Sequence, residues 1–194
     1  MKKILKYMFT VIIFVCSVNR VYAGDDRKSS LRSFGDYMQI VNPVIAAGAA
    51  SQESGIGHFG IIYAQSLVAS HSIKFIANNA KAQISKRPRI PNKKDRYDGM
   101  PSAHTASAWA AASYTRIFSR ENKYFCVPLY ITAAITGYSR VKAKEHTTAQ
   151  VITGALLTEA ITYINSKLSW SENYKVTNFY INGDEFSAGF KINL

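Results

Sequence analysis

The sequence predicts an all-α domain, a bundle of about five or six helices followed by a small C-terminal β-hairpin. Five apolar stretches carry the helical part, at 38–51, 58–80, 103–118, 125–141 and 147–168, each long enough for a helix and rich in Ala, Ile and Tyr. Breaks at Ser54-Gly55-Ile56-Gly57 and at Glu121-Asn122-Lys123 separate neighbouring stretches. The hairpin rests on a change of period: Phe186, Ala188, Phe190, Ile192 and Leu194 alternate with polar or small residues, just after the turn-forming pair Asn182-Gly183.

Taken in order, residues 1–23 read as an export signal. Lys2, Lys3 and Lys6 precede the apolar run Tyr7 to Val18, and Val21-Tyr22-Ala23 offers a cleavage site. The apolar run is shorter than the ~20 residues a spanning helix needs, which favours a cleaved leader over an anchor. Residues 24–36 are charged and polar and are expected to form a flexible lead-in, 37–170 the helical domain, and 174–194 the hairpin extension. Within the domain, 86–100 holds two prolines and a glycine among basic residues and is expected to be a loop. Gln65, Ser66, His71 and Glu159 interrupt the apolar stretches, so these read as helices of a compact bundle rather than as membrane spans.

The whole chain of 194 residues carries a formal charge of +12; loss of residues 1–23 removes four basic residues and no acids, leaving +8. That balance favours anionic partners, namely phosphorylated lipids, small phosphate esters or an anionic membrane surface. Nucleic acid is not expected, because no known binding motif is present and the basic residues are not interleaved with aromatics. Past the leader Cys126 is the one cysteine, so neither an intrachain disulfide nor a Cys/His metal site is expected.

Three clusters combine phosphate-binding and catalytic residue types: Lys81 with Arg87-Pro88 and Arg89; Pro101-Ser102-Ala103-His104; and Ser139-Arg140, five residues, His146. Phosphoryl transfer asks a protein mainly to position the phosphate and neutralise its oxygens. Arg does this with a planar fork and Lys with a point charge. Two histidines can divide the remaining work, one attacking phosphorus and one protonating the leaving oxygen. Pro101 and Ser102 suit a helix start, which would set backbone N–H groups near Ala103 and His104 at a positive terminus. His146 opens the last helical stretch, with Gln150 one turn on and on the same face.

These residues resemble the type 2 phosphatidic acid phosphatase superfamily, which includes bacterial class A acid phosphatases and vanadium haloperoxidases. Its signature is Lys, six residues, Arg-Pro; then Pro-Ser-Gly-His; then Ser-Arg, five residues, His, three residues, Asp. The likeness covers about 81–154. Each of the last two motifs arises by chance in roughly one chain in seventy, so the ordered pair is a strong signal. The resemblance implies His146 as nucleophile and His104 as proton donor, with Lys81, Arg87, Ser102, Ala103 and Arg140 around the phosphate and no cofactor or metal. It departs in three places. Lys81 and Arg87 are separated by five residues, and choosing Arg89 makes the gap seven; Arg87 is favoured. Ala103 replaces the glycine. Gln150 stands where the family has the Asp that orients the nucleophilic imidazole. An amide oxygen there can still select the tautomer, though without charge, and Glu145 and Glu159 are the carboxylates offered as substitutes.

Outside the motifs, His58 and His71 read as structural, and Lys93, Lys94 and Arg96 as a solvated basic loop. The implied function is hydrolysis of a phosphate monoester or diphosphate on an envelope lipid through a phosphohistidine. The alternatives are a soluble acid phosphatase of broad specificity, a vanadate-dependent halide oxidase and, given Gln150, a non-catalytic binder of anionic lipids. The expected location is exported and periplasmic, with or without association with the membrane.

Overall fold

A computed structural model describes residues 30–53, 55–88 and 94–168, together with the backbone of four short stretches within 174–192. Among the described residues there are five α-helices: α1 (Ser30–Gln52), α2 (Ile56–Asn79), α3 (Ala103–Phe118), α4 (Cys126–Lys142) and α5 (Thr148–Lys167). Each covers one of the five apolar stretches. The chain is already helical at Ser30, so the second half of the segment expected to be a lead-in, 30–36, belongs to α1. The predicted leader at 1–23 and the turn of the predicted hairpin lie outside the described residues. The fold supported here is helical.

α3 is the central element and packs against the other four helices. Its composition explains why: Ala106, Ala108, Ala110, Ala111 and Ala112 are all fully buried, as is Ser113. Such small side chains let helix axes approach closely while costing little rotamer entropy. The larger core residues Phe59, Ile62, Tyr114 and Leu129 fill the space around this alanine face.

Buried polar groups then fix the register between helices. Pro43 lies inside α1 and has no N–H for the Gln39 carbonyl; the Ser107 hydroxyl donates to that carbonyl instead, at 2.6 Å. The Asn42 amide donates to the carbonyls of Ala108 (3.4 Å) and Leu129 (3.2 Å), and its oxygen accepts from Thr132, joining α1, α3 and α4. Gly35 allows a close approach of α1 to α4, since a Cβ there would stand 2.0 Å from Ser139 Oγ and 2.7 Å from an Arg140 nitrogen.

The ends of these helices position the candidate site. α2 stops in a turn where the Ala82 N–H bonds the Ala77 carbonyl and Lys81 takes a left-handed φ of 50°. The loop then runs through a short 3₁₀ turn, Gln83–Ser85, toward the start of α3. α5 begins with a reciprocal cap: Thr147 accepts from the Gln150 N–H, and Gln150 Oε1 accepts from the Thr147 N–H.

Candidate active site

A cavity of about 390 Å³ opens where the C-terminal end of α2, the 86–100 loop, the first turn of α3 and the α4–α5 turn converge. Most of its lining residues are ionisable. His71, Lys74, Phe75 and Asn78 come from α2, Arg87 and Asp98 from the loop, Ala103 and His104 from α3, and Glu145 and His146 from the α4–α5 turn.

His146 is 3 % exposed. Burial, reinforced by the charges of Arg87 and Lys74, pushes its imidazole down to about 3, so the ring is neutral at ordinary pH. Nδ1 lies 3.2 Å from Gln150 Oε1. The orientation of that amide is fixed by its other end, because Gln150 Nε2 donates to the Lys86 carbonyl at 2.9 Å and faces that of Ile84 at 3.5 Å. With the amide nitrogen committed to carbonyls, Oε1 must accept from His146. Nδ1 therefore carries the proton and Nε2 keeps its lone pair. Gly99 makes the arrangement possible, since a Cβ on it would meet both amide atoms of Gln150 at 2.5–2.6 Å.

Opposite this ring the loop supplies cations held in place by one carboxylate. Asp98 accepts from Arg87 Nε (2.8 Å) and Nη2 (3.2 Å) and from Arg96 Nη2 (2.6 Å). Burial opposes its charge, but the two guanidinium groups outweigh that cost and bring its carboxyl down to about 2. Lys74 donates to the Asp98 carbonyl at 2.6 Å; burial first, then the Arg87 charge, lowers its ammonium to about 8. The cavity thus holds a cationic wall whose charge is only partly compensated.

A second network lies behind His104. Asp36 Oδ1 is 3.3 Å from His104 Nε2 and 2.6 Å from Arg140 Nη1, so one carboxylate from α1 links the two. Arg140 is 1 % exposed and also bonds Glu145 Oε2 (3.1 Å), Ser139 Oγ (3.1 Å) and the Arg32 carbonyl. Glu145 in turn pairs with Arg32. His104 is lowered by burial and by Arg140, with Asp36 and Glu145 acting the other way.

The residues singled out in the sequence divide into three groups. Ala103, His104, Arg87 and His146 line one cavity, and Gln150 stands directly behind His146. Arg140 and Ser102 are close but do not line it: Arg140 is engaged by Asp36 and Glu145, and Ser102, fully buried, accepts from Thr105 Oγ1 and spends its N–H on the Gln150 carbonyl. At the α3 terminus the first-turn N–H groups lack intrahelical partners, and the Ser102 side chain caps none of them. Lys81 stands apart from the other motif residues. It is exposed beyond the end of α2 and does not line the cavity, whereas Lys74, two helical turns earlier, does. Arg89 lies outside the described residues.

Sequence reasoning also missed Asp36, Asp98 and His71. His71 was set aside as structural, yet it lines the cavity; His58 instead packs edge-on against Phe118, with ring centroids 4.4 Å apart. Arg96, expected to be merely solvated, takes part in the Asp98 clamp. Glu159 is no substitute for the missing Asp, because Trp109, Ser113 and Arg116 of α3 and Tyr130 near the start of α4 all bond it.

The family model of the PAP2 superfamily matches residues 56–174. A lipid A 4'-phosphatase of Helicobacter pylori (strain J99) is 29 % identical over 132 residues, which is 68 % of this chain and 59 % of that protein. The match thus spans less than two thirds of the relative's length. No solved structure matches the chain.

Proposed function

We propose that this chain, which belongs to the PAP2 superfamily, hydrolyses a phosphate monoester or diphosphate on an envelope lipid through a phosphohistidine at His146. One observation carries the reading: the rings of positions 104 and 146, far apart in sequence, line a single cavity together with Arg87 and Lys74.

The chemistry follows from the protonation states. His146 Nε2 holds a lone pair because Nδ1–H is committed to Gln150, and it attacks phosphorus as the ester P–O bond breaks. The imidazole becomes positive, and Gln150 Oε1 and the Gly99 backbone favour that charged form. His104, protonated, delivers its proton to the departing oxygen. In the second half-reaction water gives that proton back to His104 as its oxygen bonds phosphorus, and the P–N bond breaks with its electrons returning to Nε2. Lys74, Arg87 and the N–H groups at the start of α3 neutralise the phosphoryl oxygens throughout. Arg140 is assigned a positioning role through Asp36 and Glu145.

The substrate class rests on the relative named for lipid A and on the charge of the chain, with lipid A phosphate, undecaprenyl diphosphate and phosphatidylglycerol phosphate as candidates. Export to the periplasm is part of the same proposal and rests on residues 1–23. The test is a panel of phosphorylated lipids assayed with purified protein. Wild type should release phosphate from lipids in preference to p-nitrophenyl phosphate. His146→Ala and His104→Ala should each abolish release while leaving the helical circular dichroism unchanged. Full activity in either variant refutes the assignment, and equal turnover of both substrate types favours a broad acid phosphatase instead.

A further inference from the structure

Beside the cavity mouth α2 exposes an apolar ridge. Ile61, Val68 and Phe75 recur every seven residues, two turns apart, and are 40 %, 65 % and 69 % exposed; Ile76 adjoins them at 64 %. Among the cavity-lining residues Phe75 is the one large apolar side chain, so the ridge is continuous with the cavity. Just past the helix Ile84 is 70 % exposed. Other helices also expose aliphatic side chains, but among the described residues this ridge is the one that runs into the cavity. No described helix is long and apolar enough to cross a membrane, so the ridge is not part of a span.

Past the end of this helix the exposed lysines are positive: Lys81 lies just beyond α2, and Lys81 and Lys94 are both exposed, while Arg87 and Arg96 are engaged by Asp98. Apolar side chains flanked by exposed cations are what an interfacial helix offers to an anionic lipid surface: the apolar face enters the headgroup boundary while the cations meet the phosphates. We propose that the Ile61–Val68–Phe75–Ile76 ridge of α2, with Lys81 and Lys94, docks the protein on an anionic bilayer so that the cavity mouth faces the headgroups. The assignment deepens the lipid-phosphatase reading and rests on it for the role of the cavity, but the docking is measured without turnover. Lys81 thereby gains a role at the membrane, having none in the cavity.

The experiment floats the purified protein with vesicles of phosphatidylcholine, with or without a third of phosphatidylglycerol, and compares wild type with Val68→Ser/Ile76→Ser and Lys81→Glu/Lys94→Glu. Wild type should bind the anionic vesicles alone, less so as salt rises. Each double variant should bind at least ~10-fold more weakly with its helical signal intact. Turnover of a short-chain phosphatidic acid below its micellar concentration should stay within about twofold, while turnover of the vesicle-embedded long-chain lipid falls with binding. Equal vesicle binding by all three proteins overturns the proposal. So does a ridge variant that loses only a dimer measured by light scattering, which would make the ridge a contact between copies. If vesicle binding follows the ridge but no phosphate is released from either lipid, the docking stands and the phosphatase reading fails.

Discussion

The amide oxygen of Gln150 stands 3.2 Å from His146 Nδ1, and its amide nitrogen is 2.9 Å from the Lys86 carbonyl. A carboxylate can perform the first of these contacts but not the second. Gln150 is therefore built into this site rather than being a damaged aspartate. Gln150→Asp shortens the side chain by a methylene and removes the hydrogen bond to the Lys86 carbonyl, a cost of about 1 kcal/mol. The expected outcome is lower kcat and lower melting temperature than wild type, with Gln150→Leu losing ~100-fold or more in kcat through the wrong tautomer. A gain of activity in Gln150→Asp, measured by phosphate release, would contradict this account.

Gly99 supports the same contact from the other side. A Cβ at this position would stand 2.5–2.6 Å from Gln150 and from the Ser85 carbonyl. Neither the loop backbone nor an amide bonded at both ends can easily yield. Gly99→Ala should destabilise the protein by about 1–3 kcal/mol in chemical denaturation. It should also lower kcat more than it raises KM, because the displaced group orients the nucleophile.

Lys74 and Lys81 offer a direct contrast. Lys74 lines the cavity and is buried enough for its ammonium to fall to about 8, while Lys81 is exposed beyond the helix end. Lys74→Ala should reduce kcat/KM on a soluble phosphorylated lipid by ~100-fold or more, as expected for removing a charged contact to phosphoryl oxygens. Lys81→Ala should stay within about twofold on the same substrate. Inorganic phosphate should inhibit less well as pH rises through 8, because the free lysine then loses its proton; Lys74→Arg should remove that dependence.

Periodicity and breaks in the sequence located all five helices because apolar stretches of that length have few other outcomes in a chain of this size. The two histidine motifs were legible because their residues lie near helix starts, where spacing in sequence is spacing in space. Lys74 was not, since twelve residues separate it from Arg87 and the route between them runs through a turn and a 3₁₀ segment. The family spacing drew attention to Lys81, a position the backbone uses to end a helix. Asp36 and Asp98 were equally hidden: one reaches Arg140 across 104 residues of sequence, and the other sits in a loop whose path no periodicity encodes. The start of α1 was misplaced because polar residues 30–36 look like a lead-in until Gly35 is seen packed against Ser139.

Acid should destabilise the fold earlier than its carboxylates predict. His146 titrates near 3 in the folded chain against an ordinary 6.5, and His58 and His104 are shifted in the same direction by burial. An unfolded histidine therefore binds its proton more readily than the folded one. The stability from keeping these rings neutral is fully present above pH 6.5 and is lost as pH falls from 6.5 toward 3. The stability from Asp98 is lost only as pH falls below 3.8, and that from the lowered glutamates only below 4.5, so the interval from 6.5 to 4.5 belongs to histidine. Thermal melts should show a decline beginning near pH 6.5, and His146→Asn should make the slope shallower. A melting temperature flat down to pH 4.5 would rule this out.

Asp36 should set the pH at which His104 can give up a proton to substrate. Burial and Arg140 lower the His104 imidazole, and Asp36, 3.3 Å from Nε2, opposes them. Removing that negative charge lowers His104 further, so the protonated ring that delivers a proton disappears at lower pH. Asp36→Asn should therefore move the alkaline limb of the kcat profile toward acid for an alkyl phosphate. A phenolic leaving group departs without protonation, and for such an ester the limb should stay where wild type has it. Were Asp36 only a structural partner of Arg140, both substrates would lose activity alike and neither limb would move.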